Sequence, residues 1–370
     1  MRPDSLTFLR TLLDTPSPSG FERPGQQVWL SYVRPFADKV WNDAYGNCFA
    51  SVEPAGVKPG AKVMTVALCG HADEIGLMVN HFDSNGYIYG YIYCRSIGGI
   101  DAGSIVGKRI QFTSSVPGVK NPVLGVIGAT AIHLQDKSSE GKVRKLHELY
   151  IDIGAKDMAA AQAMVNIGDP GVFLDGSMLM GDGLIIARGL DNRIGTFAAA
   201  EGLRLAAEKR GDLKVRVVAV STVQEEVGLR GAAMIAEALH PDVALVTDVG
   251  HATDSPGINH AQHGHTKLGG GPKIAIGGSM QPEVVQRLFD VAKQKDIAVQ
   301  RAAAPGSSGT DTDAIFVRRG GIPSGLVSLP IRYMHTTVEM TALKDLEQIG
   351  EIFAGFCLSL KGDETFVPKL

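Results

Sequence analysis

The sequence predicts an α/β protein: a mostly parallel, doubly wound sheet interrupted by an inserted β-rich domain. Three patterns carry that expectation. From residue 184 onward, apolar runs of strand length alternate with helical periods of ten residues or more, the signature of crossovers between parallel strands. The run Val63-Met-Thr-Val-Ala-Leu68 is apolar on both alternating faces, as a strand covered on both sides must be. Between 74 and 167 the helical period fades, and short strand candidates stand among Gly, Pro and Ser clusters.

In chain order, Leu6, Leu9, Leu12 and Leu13 recur at helical spacing and mark a helix at 5–15, with a second expected at 23–35. Strands follow at Lys39–Trp41, Cys48–Val52 and Val63–Leu68. Leu77–His81 and Tyr87–Tyr93, joined by Asp83-Ser-Asn-Gly86, read as a hairpin on a Gly turn. Strands at Arg109–Thr113, Leu124–Ile127 and Leu149–Ile153 would complete a small barrel or sandwich, with a helical stretch at Lys156–Asn166. The last part offers strands at Leu184–Ala187, Val215–Val223, Val243–Thr247, Lys273–Ile276, Ala298–Arg301 and Gly325–Leu329. Helices fill the gaps at 192–209, 229–239, 282–294 and 342–360. Since the strand at 63–68 belongs with this later sheet, the expected division is a discontinuous domain, 1–73 and 168–370, around an insert at 74–167.

The 370 residues are 44% apolar and 20% charged, which excludes a disordered or coiled-coil chain. Thirty-six basic against 39 acidic residues leave a net charge of −3, which argues against nucleic acid or an anionic membrane as partner. No run reaches 18 apolar residues, and the N-terminus lacks the apolar stretch of a signal peptide. A soluble, cytoplasmic protein is expected. Four cysteines without CxxC spacing provide neither a disulfide framework nor a Cys-type zinc site. Glycine, 45 residues or about 12% against a usual ~7%, points to tight turns and close backbone approaches.

In an open parallel sheet, functional side chains gather past the carboxyl ends of the strands. The polar residues that follow the predicted strands are His71 and Asp73, Asp191, Glu225 and Glu226, Asp248, and His335. Singly, each is ordinarily a cap or a solvated group. Together, so many acids would repel one another and destabilise the fold unless cations neutralise them. Imidazoles mixed with carboxylates suit zinc, cobalt or manganese better than calcium or magnesium. Five ligands exceed one tetrahedral ion, so two ions sharing a carboxylate are expected. Of the adjacent pair Glu225-Glu226, one carboxylate would bind metal and the other would stay free to take a proton from water.

Other motifs carry less. His260-Ala-Gln-His263-Gly-His265, with His251 upstream, has chelating spacing but no accompanying carboxylate base. Gly269-Gly-Gly-Pro-Lys273 lacks the spacing and terminal hydroxyl of a phosphate loop. Gly306-Ser-Ser-Gly309 is not a nucleophile elbow.

The chain resembles the TET-type aminopeptidases, the glutamyl or deblocking aminopeptidases among the clan MH metallopeptidases. The resemblance rests on Pro16-Ser-Pro-Ser-Gly-Phe-Glu22, Gly70-His-Ala-Asp-Glu-Ile-Gly76, Ile97-Gly-Gly-Ile-Asp101, Ile151-Asp-Ile-Gly-Ala155 and Gly189-Leu-Asp-Asn-Arg-Ile-Gly195. It continues through Val223-Gln-Glu-Glu-Val-Gly-Leu-Arg-Gly231, Thr247-Asp-Val, Asp254-Ser-Pro-Gly257, Gly309-Thr-Asp-Thr-Asp313 and Pro330-Ile-Arg-Tyr-Met-His335. These segments follow the family order over essentially the whole chain.

The resemblance implies a zinc-exopeptidase-like sheet with a barrel or PDZ-like insert, and two divalent ions per subunit, zinc first, with cobalt or manganese as alternatives. Asp191 would bridge the ions, His71 and Asp248 would hold one, and Glu226 and His335 the other. Glu225 would be the general base and acid, acting on a metal-bridging hydroxide, and Asp73 would accept the second N–H of His71. The residue after Asp191 is Asn192 where most members carry Asp, and the Asp191–Asn192 peptide is expected in cis. The implied reaction removes the N-terminal residue of a peptide, and the insert would pair subunits into dimers that assemble as tetrahedral dodecamers. The alternatives are a clan-related carboxypeptidase or deacylase, or a metal-independent glycoside hydrolase working through Glu225 and Asp73.

Overall fold

A computed structural model of the chain describes residues 1–57, 62–83, 91–135 and 141–368. The main sheet has eight strands, in spatial order Lys39–Asn42, Cys48–Val52, Arg216–Thr222, Thr65–His71, Val243–His251, Ser324–Ile331, Lys273–Gly277 and Gln300–Ala304. The four central strands run parallel. Antiparallel pairing enters where Cys48–Val52 joins Arg216–Thr222 and where Ser324–Ile331 meets Lys273–Gly277. Thr65–His71 and Ser324–Ile331 are buried along their whole length, as their mostly apolar residues require when both faces are covered.

The helices form close to their expected limits: Pro3–Asp14, Arg23–Val33, Leu190–Glu208, Arg230–Leu239, Pro282–Gln294 and Leu343–Ser359. Each large helix presents an apolar stripe to the sheet, as Phe8, Leu9, Leu12 and Leu13 do on the first. That helix's last carbonyls are satisfied by a distant residue. The fully buried Arg193 guanidinium donates to the carbonyls of Leu12, Leu13 and Thr15 and pairs with Glu74, the arrangement a buried cation needs. Among the described residues, no helix is long and apolar enough to cross a membrane.

The insert is a closed six-stranded barrel of Gly76–Phe82, Ile92–Ile97, Tyr150–Asp152, Val123–Gly128, Arg109–Phe112 and Pro170–Phe173. Its core, with Leu77, Ile92, Phe112, Ile127 and Phe173, is separate from the core of the sheet domain. The sixth strand was not expected from the sequence and lies past residue 167. Gly76–Phe82 pairs with Ile92–Ile97 as the two arms of the expected hairpin; its turn at 83–86 lies mostly outside the described residues, as does the first part of Tyr87–Tyr93.

One expected placement is corrected. Leu184–Ala187 is a strand, but it pairs with Met178–Met180 and Glu339–Ala342 in a separate three-stranded antiparallel sheet and does not join the main one. An apolar alternation specifies a strand and its buried face, and leaves its partner open.

The glycine excess is explained where the sheet meets the helix Leu190–Glu208. A Cβ on Gly70 would lie 2.3 Å from the carbonyl carbon of Gly195, so strand and helix touch backbone to backbone. We expect Gly70→Ala to destabilise the protein by about 3 kcal/mol through overpacking, read as a lowered unfolding midpoint in urea at unchanged m-value.

Candidate functional site

Four of the sequence-predicted site residues sit at or just past the carboxyl ends of three central parallel strands. His71 is the last residue of Thr65–His71 and pairs in register with Thr222. Glu225 and Glu226 follow the strand that Thr222 ends, and His335 follows Ser324–Ile331. Asp248 lies within its strand, because Val243–His251 runs four residues further than its apolar run. Its side of the sheet is completed by Ser324–Ile331, which pairs with it through His251↔Ile331. Asp191 comes from the break at the start of the helix Leu190–Glu208, where Asp191 and Asn192 carry non-helical dihedrals. The Asp191–Asn192 peptide is cis.

These elements bring all seven predicted residues together. His71 Nε2 lies 3.2 Å from Asp191 Oδ1, 3.6 Å from Glu225 Oε2 and 3.7 Å from Asp248 Oδ1. His335 Nε2 lies 3.4 Å from Asp191 Oδ2 and 3.7 Å from Glu226 Oε2. Asp191 therefore touches both imidazoles through different oxygens. Among the described residues, two donor groups have one ligand atom from each member within 4.8 Å of the others: His71, Glu225 and Asp248, and His71, Asp191 and Glu226.

The chemistry of this donor set fits divalent cations. His71 Nδ1 hydrogen-bonds the main-chain carbonyl of Asp73 at 3.1 Å, so its N–H lies on that side and the Nε2 lone pair faces three carboxylates. A lone pair facing anions is repulsive unless a proton or a metal cation stands between them. Glu226 Oε1 is buried with no hydrogen-bond partner, a costly state for a carboxylate oxygen. Without ions, burial and the neighbouring acids Asp248, Asp311 and Asp191 hold the Glu225 carboxyl at about 9, against the pull of His71. Burial and Asp191 push Glu226 well above its ordinary range, and burial raises Asp248. Burial acts against the charge of His71, but Glu225, Asp191, Asp248 and Asp73 outweigh it and raise the imidazole pKa. Burial is outweighed at Asp191 too, where His335 and His71 bring it down to about 2.

The structure revises the expected contact of Asp73 and adds supports that sequence reasoning missed. His71 Nδ1 bonds the Asp73 carbonyl, with the carboxylate Oδ1 further off at 3.4 Å. That carboxylate instead accepts from Ser19 Oγ at 2.6 Å and from the main-chain N–H groups of Glu225 and Glu226 at 3.0 and 3.1 Å. Glu22 Oε1 accepts from Gln224 N–H, whose residue holds a left-handed φ of 56°. Glu339 accepts from Asp191 N–H at 2.9 Å and from His335 N–H at 3.1 Å, tying together two loops far apart in sequence. Asn192 donates to the Thr247 carbonyl and accepts from Gly195 N–H, so the residue that departs from the family pattern is structurally engaged. A lone acid in an apolar run, as in Val338-Glu-Met340, was the only available signal for Glu339. The His260 and His265 rings lie tilted against each other with centroids 4.8 Å apart, and that loop holds none of the carboxylates gathered around His71 and His335.

Comparison with known proteins identifies the family. The family model for M42 glutamyl aminopeptidases matches residues 54–352. A lysyl aminopeptidase from Pyrococcus furiosus is 31% identical over 344 residues, covering 92% of this chain and 93% of its own. Among solved structures, a TET aminopeptidase from a marine-sediment Thaumarchaeota archaeon superposes with a TM-score of 0.88 at 30% identity, covering 97% and 98% of the two chains. A Pyrococcus horikoshii TET1 peptidase, described as assembling into a tetrahedron or a large octahedral shell, superposes with a TM-score of 0.81 at 28% identity, covering 96% and 100%. This chain therefore belongs to the M42 family of aminopeptidases, metallopeptidases that hydrolyse peptides.

Proposed function

We propose that the chain removes single residues from the N-terminus of peptides, with Glu225 as general base and acid beside two divalent cations, zinc first and cobalt or manganese as alternatives. The observation that supports this reading best is Asp191 standing between His71 and His335, with imidazole nitrogens and carboxylate oxygens facing one another below 4 Å. Asp191 would be shared by the cations, His71 and Asp248 completing one set and Glu226 and His335 the other. Bound there, the cations would polarise the scissile carbonyl and lower the pKa of water.

The chain's own residues supply the proton transfers and the alignment. A carboxylate whose charged form is disfavoured by burial is a stronger base than one in water. Glu225, ionised once cations offset the neighbouring acids, would take a proton as water attacks the carbonyl and return it to the departing amine nitrogen. Asp73 holds the Glu225 and Glu226 main chain in place, and Glu339 holds Asp191 and His335. The glycoside-hydrolase alternative needs Asp73 as a reacting group. Asp73 is fully buried and committed to three hydrogen bonds, which disfavours it.

We also infer a homo-oligomeric particle, as the P. horikoshii relative forms. Leu124 and Val126 alternate outward from the barrel strand Val123–Gly128 and are about half exposed, an apolar face suited to a second subunit. The reading is tested with metal-reconstituted enzyme on matched peptide anilides with free or acetylated N-termini. Cleavage of the free-amine substrates alone, lost on chelation, is expected. Cleavage of the acetylated series would point to a deacylase, and activity that survives chelation would rule out the metal reading.

A further inference from the structure

A cavity of about 690 Å³ opens beside the cluster, bounded on one side by Asp191, Glu226, Asp248 and His335 and on the other by the strands Lys273–Gly277 and Gln300–Ala304. Strand register fixes what faces it. Asp248 pairs with Ser328, and Ser328 pairs with Lys273, so the three residues form one row across adjacent strands and share one face. Strand spacing sets the Lys273 backbone roughly 10 Å from that of Asp248. Gly250, two residues past Asp248, lies on the same face. A Cβ there would stand 3.1 Å from Lys273 Nζ, so the lysine side chain reaches back over the strand that carries Asp248. Small side chains, Ala275 and Ala302 among them, leave room around it.

Lys273 is half-buried, and among the described residues its ammonium has neither a hydrogen bond nor an ion pair. Other enclosed cations of this protein are paired: Arg193 with Glu74, Arg204 with Glu201 and Arg332 with Asp254. Burial lowers the Lys273 pKa with no carboxylate opposing it, and His251 is depressed by its own burial and then by the Lys273 charge. A desolvated ammonium without a counter-ion costs stability, and at this position the missing anion can arrive with a substrate.

We propose that Lys273 determines specificity, its ammonium receiving the side-chain carboxylate of an N-terminal aspartate or glutamate. This rests on the aminopeptidase reading above. Once the scissile carbonyl is at the cluster, the N-terminal residue is the one whose side chain is held next to this cavity. Family membership does not decide the matter: the family model is described as glutamyl, whereas the P. furiosus relative is a lysyl aminopeptidase. A fixed ammonium separates the two, because a substrate lysine would meet like charge.

The test compares kcat/KM of the metal-loaded enzyme on glutamyl-, aspartyl-, leucyl- and lysyl-anilides for wild type, Lys273→Met and Lys273→Glu. Wild type is expected to prefer glutamyl or aspartyl over leucyl by at least tenfold. The ratio should fall at least tenfold in Lys273→Met and turn toward lysyl in Lys273→Glu. Wild-type preference for leucyl or lysyl substrates, or a ratio unmoved by Lys273→Met, would overturn the proposal. So would a preference for short peptides with a free C-terminus over amidated ones that Lys273→Met erases, since the lysine would then read the other end of the substrate. If wild type cleaved no anilide at all, the aminopeptidase reading would fail by itself, and calorimetry on Glu225→Gln protein would still decide Lys273. Glutamate binding at least tenfold tighter than leucine, with the difference lost in the Glu225→Gln/Lys273→Met double variant, supports it; equal binding overturns it.

Discussion

Replacing Glu225 by glutamine is expected to lower kcat by about a thousandfold, within the 10² to 10⁴ range of a general base. That equals about 4 kcal/mol of transition-state stabilisation. Glutamine keeps the shape of the side chain and its reach toward His71 while removing the carboxylate that accepts the proton. Metal content and KM should therefore change little, and the main-chain anchor to Asp73 remains. The neighbouring Glu226→Gln provides the contrast. Its carboxylate lies 3.7 Å from His335 Nε2 and holds the unpartnered Oε1, so this variant should lose bound metal as well as turnover. Metal analysis alongside kinetics separates the two roles. Equal metal loss in both variants would mean that the adjacent carboxylates do not divide as proposed.

The second large effect is the pH dependence of the metal-free protein. Glu225 titrates at about 9 in the fold against an ordinary 4.5. An acid with a raised folded pKa contributes stability that is full below its unfolded pKa and is lost as pH rises through the folded one. Glu226 and Glu339, both raised mainly by burial and then by Asp191, act in the same direction. Asp311, buried and raised to about 7 from 3.8, loses its contribution between those values. His71, raised above 6.5, also contributes below 6.5 and loses its share above it. Asp191, lowered to about 2, runs the other way, but only as pH falls below its ordinary 3.8. Chelated protein is therefore expected to lose thermal stability steadily from pH 5 to 9. Metal binding releases protons, so the stabilisation by added zinc should grow over the same range, reaching about 4 kcal/mol at a thousandfold excess over Kd. Thermal scans of chelated and reloaded protein across this range check both statements. A metal-free protein more stable at pH 9 than at pH 5 would contradict them.

Much of the architecture was legible in the residues because burial on both faces leaves a plain mark. The apolar run at 63–68 became a fully buried central strand, and the Leu6–Leu13 spacing became the first helix. The candidate site was legible for a related reason: parallel strands deliver their carboxyl ends to one edge, so His71, Glu225 and His335 could be grouped without coordinates. What escaped was long-range. Nothing local tells Leu184–Ala187 to pair with Glu339–Ala342, or lets Pro170–Phe173 be seen as the strand that closes the barrel. Asp248 was expected past a strand end, whereas its strand continues through Gly250 and His251, whose composition does not read as a strand. The supports Asp73, Glu22 and Glu339 act on main-chain N–H groups up to about two hundred residues away. Lys273, at the start of an unremarkable strand, acquires meaning only through its register with Ser328 and Asp248.

The central claim is that this acidic cluster holds a pair of divalent cations. Crystals of the protein grown with zinc, with diffraction recorded on both sides of the zinc absorption edge, address it most directly. Two anomalous peaks per chain are predicted, both touching Asp191, one also near His71 and Asp248 and the other near Glu226 and His335. Peaks elsewhere, at the His260–His265 loop for instance, with none against Asp191, would contradict it.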